Sequence, residues 1–285
     1  MDLQSLVKPP LVMGPLVMGI VNVTPDSFSD GGQLATQEAA LAHALRLIEQ
    51  GAEVLDIGGE STRPGSEPVS EDQEIMRTLP LITALRARWD GVISIDTMKP
   101  GVARAAIAAG ATMWNDVTAL MHAPDSLATA AGLGCAVVLM HMKGAPKTMQ
   151  DDPRYDDVVA EVVAHLAARA EAALAAGVAR DKIWLDPGIG FAKTTEHNLT
   201  LTARLEALVE LGFPVLYAAS RKRTIQGVDA TAVEATDRLG GSLALALEGA
   251  RRGARMVRVH DVRETVQALK VQAAVAAMAP DRSAS

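Results

Sequence analysis

The sequence predicts an eight-stranded α/β barrel, a (β/α)8 fold, on two observations. Eight short apolar runs alternate with longer amphipathic stretches along 285 residues, and the residues directly after each run are polar. Strands buried on both faces read as continuous apolar segments rather than alternating ones. Eight strand–helix repeats in a chain of this length fit a closed barrel, with a doubly wound open sheet as the rival arrangement.

The runs are Leu16 to Val21, Val54 to Ile57, Val92 to Ile95, Thr112 to Trp114, Ala136 to Met140, Ile183 to Leu185, Pro214 to Tyr217 and Met256 to Val259. Between them lie helical stretches such as Thr36 to Gln50, Glu71 to Trp89, Asp156 to Ala176, Glu196 to Leu211 and Asp261 to Met278. Gly51, Gly110, Gly177, Gly212 and Gly253 precede strands, where Gly closes a helix in the left-handed conformation. Pro80 is expected to kink or restart the second of these helices. Leu11-Val12-Met13-Gly14 is echoed by Leu16-Val17-Met18-Gly19, which we read as a short N-terminal hairpin capping the barrel floor. Residues 1–279 form one domain on this reading, and the small polar residues 280–285 a disordered tail.

Composition narrows the function. Hydrophobic content is 49% and aromatic content 3%, so Ala, Val, Leu, Ile and Met must supply most of the core. No apolar run approaches the roughly 20 residues that span a bilayer, and Met1 to Pro10 lack the features of a signal peptide. The single Cys135 sits in an apolar run and reads as a buried reduced thiol. The expectation is a cytoplasmic protein. A net charge of −7 argues against nucleic acid, which demands a basic face. It leaves room for a small anionic ligand in a cleft dominated by local cations.

Those cations occur at strand ends. Strand one is followed by Asn22-Val23-Thr24-Pro25-Asp26-Ser27-Phe28-Ser29-Asp30-Gly31-Gly32, and strand two ends in Asp56-Ile57-Gly58-Gly59-Glu60-Ser61-Thr62-Arg63-Pro64-Gly65. The others give Asp96-Thr97, Asn115-Asp116, His141, Asp186-Pro187-Gly188-Ile189-Gly190-Phe191, Ser220-Arg221-Lys222-Arg223 and His260-Asp261, with Arg258 just inside. A barrel gathers these ends at one mouth. A lone Asp after a strand is commonly a helix cap; eight polar ends, three of them with Arg or Lys, point to a site for a small phosphorylated substrate. Gly188 to Thr194 has neither the spacing of a phosphate loop nor that of a dinucleotide fingerprint. The six His form no His-x-x-x-His pair for a zinc site, whereas a Mg²⁺ held chiefly by substrate phosphates needs no such motif.

The run Met18 to Gly32 closely resembles the first signature of the dihydropteroate synthase family, and Asp56 to Gly65 the second. Ser94 to Thr97, Asn115-Asp116, Met140 to Met142, Asp186 to Phe191, Ser220 to Lys222 and Arg258 to His260 match further family motifs in order. The resemblance implies that 6-hydroxymethyl-7,8-dihydropterin diphosphate is joined to p-aminobenzoate, releasing pyrophosphate and 7,8-dihydropteroate, by an SN1-like displacement. It implies Mg²⁺ and a homodimer. Asp96, Asn115, Asp186 and Lys222 would bind the pterin; Asn22, Thr62, Arg63, Arg258 and His260 the pyrophosphate; Phe28, Thr62, Arg63, Pro64, Phe191 and Lys222 the aminobenzoate. Asp96, Asp186, Lys222 and Arg63 would serve catalysis, and Asn22, or Asp26, would offer Mg²⁺ an oxygen. The loops Thr24 to Gly32 and Ser61 to Glu67 would close over the second substrate.

Near strand seven the chain departs from the family pattern: Ala218 stands where Gly is usual and Thr224 where Phe is usual. Two other readings remain. A methyltetrahydrofolate-dependent pterin methyltransferase would share the barrel and its pterin carboxylates, without needing Arg63 or the Arg258/His260 pair. An inactive pterin-binding paralogue would not need two intact loops.

Overall fold

The computed structural model describes residues 14–23, 32–61, 68–144 and 153–278. Eight parallel strands form its centre: β1 (Leu16–Asn22), β2 (Val54–Gly58), β3 (Val92–Asp96), β4 (Met113–Asp116), β5 (Ala136–Met140), β6 (Ile183–Asp186), β7 (Leu216–Tyr217) and β8 (Met256–Val259). Pairing runs β6-β5-β4-β3-β2-β1-β8-β7, and a single parallel bridge, Leu185 to Val215, joins β6 to β7 and closes the ring. This is the (β/α)8 barrel the sequence predicts. The helices around it are α1 (Gly32–Glu49), α2 (Glu71–Arg86), α3 (Pro100–Ala108), α4 (Ser126–Leu133), α5 (Val158–Ala175), α6 (Thr195–Ala203), α7 (Glu206–Val209), α8 (Arg223–Val228), α9 (Leu239–Arg251) and α10 (Val262–Ala277).

Alternation along each strand sorts the apolar residues into two separate clusters. Met18, Val54, Val92, Met113, Ala136, Val138, Trp184, Leu216 and Met256 fill the lower lumen. Residues that point the other way, such as Leu55, Ile57, Ile93, Ile95, Trp114, Val137 and Leu139, pack against the helices. Each such side chain contributes about 2 kcal/mol by leaving water. Aromatics are few but are spent inside: Trp114, Trp184 and Tyr217 are fully buried. Trp114 Nε1 donates to Thr97 O at 2.7 Å and the Tyr217 hydroxyl pairs with that of Thr202 at 2.7 Å, so neither polar tip is stranded.

Local chemistry explains where elements begin and end. Ser70 and Gln73 form a capping box before α2, whose first turn carries Glu71, Asp72 and Glu74. The helix does not restart at Pro80; it runs unbroken to Arg86. Pro80 is on the exposed face, where its missing N–H takes the helical partner from the carbonyl of Met76, a residue that is itself exposed. The stretch Glu196 to Leu211 is not one helix. The chain leaves helical geometry at Arg204 (φ −126°, ψ 31°) and re-enters it in α7, keeping Leu205 and Leu208 buried. The five glycines expected to close helices all take positive φ. The N-terminal half of the expected hairpin and the expected tail lie outside the described residues, while Leu16 to Gly19 opens β1. No helix among the described residues is long and apolar enough to cross a membrane.

Candidate active site

Above the apolar lumen the inward positions turn polar. Asp56 pairs in register with Ser94, and one step higher Gly58 pairs with Asp96, and Asp96 with Asn115. Arg258 reaches across from β8: Nε donates to Asp56 Oδ2 at 2.6 Å and Nη2 to Asp96 Oδ2 at 2.8 Å. Asn115 Nδ2 donates to the same Asp56 oxygen at 3.1 Å. Gly58 leaves room here, since a Cβ on it would stand 3.6 Å from Asn22 Oδ1 and 3.7 Å from Asp96 Oδ2.

The charges are strongly perturbed. Burial pushes the Asp96 carboxyl up to about 7, against the pull of Arg258 and with Asp56, Glu74 and Asp116 adding to the rise. Asp186 is also raised by burial; Lys222, the Gly188 N–H and Arg258 oppose the shift. Burial brings Lys222 down to about 8, although Asp186 favours its charged form. Its ammonium donates to Ile189 O and lies 4.6 Å from the centre of the Phe191 ring. Two buried carboxylates and a buried lysine whose pKa values move toward neutrality, held beside Arg258, mark a functional site more than a structural one.

The turn after β6 is shaped by close approach. Gly188 has φ +68° and a Cβ there would fall 1.9 Å from His141 O, so only glycine fits. Its N–H donates to Asp186 Oδ1 at 2.7 Å, orienting the carboxylate. Asn198 accepts from Gly190 N at 2.8 Å and donates to Thr224 Oγ1 at 2.9 Å. The Thr224 departure is thereby absorbed: where the family pattern places a ring, this chain has a hydroxyl tied to the turn.

Of the residues singled out in the sequence, Asn22, Asp96, Asn115, Asp186, Phe191, Lys222, Arg258 and His260 are described, and all belong to strand ends or the turns that follow them. Arg258 joins Asp96 directly; Lys222 joins the strand-six turn; His260 pairs through Nδ1 with Ser220 Oγ at 3.1 Å. Phe28, Thr62, Arg63 and Pro64, with Asp26 and most of both signature loops, lie outside the described residues. Asp116 has the ordinary role of a loop holder, accepting from Thr118 N, Thr118 Oγ1 and Leu120 N.

Two residues to which the sequence assigns no role acquire one in the structure. Asp56 was a strand residue in an apolar run, and its inward direction follows from its being two places before Gly58. Lys193 is buried, and its ammonium contacts His141 Nδ1 at 2.9 Å and Phe191 O at 3.0 Å. It holds two neighbouring turns together. Its burial pushes its pKa down to about 7.

Comparison with known proteins bears directly on this mouth. Residues 18–260 match the pterin binding enzyme family model. The dihydropteroate synthase of Escherichia coli (strain K12) is 46% identical over 257 residues, 90% of each chain. The chain belongs to the dihydropteroate synthase family. A dihydropteroate synthase from Xanthomonas albilineans, solved with 4-aminobenzoic acid, superposes with a TM-score of 0.88 at 52% identity, over 94% of this chain and 95% of that one. The same organism's enzyme in complex with 7,8-dihydropteroate gives 0.85 at 49% identity, over 95% and 97%. The activity is accordingly that of a transferase forming dihydropteroate, and the similarity supports it over the methyltransferase and inactive-paralogue readings.

Proposed function

We propose that the charged mouth of the barrel binds 6-hydroxymethyl-7,8-dihydropterin diphosphate with its ring among Asp96, Asn115, Asp186 and Lys222. The observation that carries this reading is the pair of buried carboxylates whose pKa values burial has raised, set beside an amide and a cation. The pterin edge alternates donors and acceptors, and this set complements it. The diphosphate faces outward toward Asn22, His260 and the loop residues Thr62 and Arg63. Arg258 has Nη1 left for a phosphate oxygen, since its two carboxylate bonds use Nε and Nη2. Phe191, with Phe28, Pro64, Thr62, Arg63 and Lys222, walls and anchors the p-aminobenzoate.

In the reaction the methylene C–O bond to the diphosphate breaks and a C–N bond to the aromatic amine forms. The amine proton goes to water, and pyrophosphate leaves. Positive charge that develops on the methylene spreads into the pterin, where the carboxylates of Asp96 and Asp186 favour it. Arg258, Arg63 and His260 stabilise the departing diphosphate. The amine is already unprotonated at neutral pH, so no dedicated base is needed. Water reaching the cation would trap it, so the reaction depends on keeping water out of the mouth.

Asn22 would offer Mg²⁺ its neutral amide oxygen, which lies at the mouth beside Gly58, with phosphate oxygens supplying most of the other ligands. When bound, Mg²⁺ supplies charge neutralisation to the diphosphate. We also infer a homodimer; Val271, Val275 and Met278 are exposed along one side of α10 and give an apolar surface for a second copy. A cytoplasmic setting is consistent with Cys135, whose thiol burial pushes up to about 11.

The test is pyrophosphate release measured with and without p-aminobenzoate. Release that depends on p-aminobenzoate and yields dihydropteroate is expected; release independent of it refutes the assignment.

A further inference from the structure

Asp56 makes contact with two residues of the proposed site without being at the mouth itself. It is fully buried, two residues deeper on β2 than Gly58. Oδ2 takes both the Asn115 amide and the Arg258 guanidinium. Oδ1 has no hydrogen-bond partner among the described residues, and neither has Oγ of Ser94, its register neighbour. This is a poor way to stabilise a barrel. Removing a carboxylate from water is costly, and an apolar residue of similar volume often serves the fold as well or better. An oxygen left unpaired adds to the cost. Neighbouring strands put Ser94 and Asp56 here, where the layer below is wholly apolar.

We propose that Asp56 is a positioning residue for the reaction, fixing which end of the Asn115 amide faces the pterin and how Arg258 lies across the lumen. An ionised carboxylate can only accept hydrogen bonds. Asn115 must therefore turn its amino group down to Asp56, which leaves its carbonyl oxygen to a ligand N–H. The two ends of an amide are almost the same shape, so packing alone does not choose between them. With the amide reversed, a pterin N–H would meet another N–H. For Arg258, Asp56 and Asp96 each take one nitrogen, so the guanidinium is stretched between two carboxylates rather than collapsed onto one. That keeps Asp96 from being claimed entirely by Arg258. Asp96 is faced by Arg258 on β8, Asp56 on β2, Glu74 on α2, Asp116 on β4 and Lys222 after β7; of these, Asp56 is the carboxylate sharing its guanidinium.

The inference rests on the pterin seat proposed above, and the experiment separates the two. Asp56→Asn, Asn115→Ala and the double variant are compared in the full-length enzyme for kcat, for KM of each substrate, for pH profile and for Tm. Asp56→Asn is expected to raise KM for the pterin diphosphate about tenfold or more and to leave KM for p-aminobenzoate within about twofold. The acid limb of kcat/KM should move to lower pH, because a neighbouring negative charge has gone. Asn115→Ala should cost less in the Asp56→Asn background than in the parent, since the amide is then already misdirected. Where Asn is not tolerated at 56, Asp56→Ser removes the charge while keeping a small polar group, and the same comparison holds. Fully additive costs overturn the role, as does a pterin KM within twofold of the parent. So does a parallel change in both KM values together with a fall in Tm. If Asn115→Ala alone leaves the pterin KM unchanged, the seat itself is wrong and this role goes with it. If Asn115→Ala weakens the pterin but Asp56→Asn does not, the seat stands and Asp56 is merely structural.

Discussion

Two clusters of Arg and carboxylate in this protein show the same chemistry with opposite outcomes. On the outer surface Glu248 pairs with Arg251 and Arg252, and Arg252 with Glu206. Glu248 is pulled down to about 2, first by its hydrogen bond to Arg251 and then by Arg252. In the lumen Arg258 bridges Asp56 and Asp96 at similar distances, yet Asp96 is pushed up to about 7. Pairing is comparable; access to water is not. At the surface hydration costs nothing to keep, so the partner charge decides and the carboxylate stays ionised. Inside, loss of hydration outweighs the arginine. The first arrangement is indifferent to neutral pH. The second is poised to respond to it.

The contrast is broken most severely at the mouth. Lys222→Ala should lower kcat/KM by about 100-fold or more, with weakened pterin binding, measured by pyrophosphate release and by pterin titration. Gly188→Ala comes next. A methyl group 1.9 Å from a carbonyl oxygen and a φ of +68° should destabilise by about 2 kcal/mol or more, read by denaturant unfolding, with activity falling as Asp186 is displaced.

The pH response is a finer probe. Free-enzyme kcat/KM should rise as Asp96 ionises near 7 and fall as Lys222 loses its proton near 8; Asp96→Asn should remove the acid limb and spare the alkaline one. Stability gives an independent sign. The folded protein holds the Asp96 proton more tightly than the unfolded chain, whose carboxyl has its ordinary value of 3.8. The stability contributed by that protonated form is therefore present below about pH 4 and lost as pH rises through about 7. Tm of Asp96→Asn relative to the parent should climb between pH 4 and pH 8, and a flat difference counts against the assignment. The smallest effect belongs to the surface. Glu248→Gln should shift Tm by no more than about 2 °C, and less in high salt.

Much of this was legible in the sequence because a barrel writes itself twice, as apolar runs and as polar residues after them. Ala136 to Met140 and Met256 to Val259 were read to the residue. Boundaries slipped where polar side chains continue a strand: Asn22, Asp96, Asn115 and Asp186 are strand residues as well as mouth residues. β7 is shorter than its apolar run because Pro214 has no N–H for a ladder, and Val215 meets β6 through an isolated bridge. Asp96, Asn115, Asp186 and Lys222 were accessible through signature resemblance and ring chemistry. Lys193 was not, since nothing in a linear reading says that its ammonium is buried against the imidazole of His141, 52 residues away. Asp56 stood at the start of the second signature but without a role, because only the register shows which way a residue within a strand points.

The barrel's closure has a mechanical consequence. Seven of its eight seams are ladders of at least two register pairs, and the eighth is the single bridge between Leu185 and Val215. Asp186 and the turn that holds Lys222 emerge on either side of that seam. A hoop with one weak joint strains there first, so amide protons along Ile183 to Tyr217 should exchange with solvent sooner than those of β1 to β3. The joint's compliance falls between Asp186 and Lys222, the two residues proposed to hold opposite sides of the pterin, so a slight parting there would admit a flat ring without disturbing the rest of the wall.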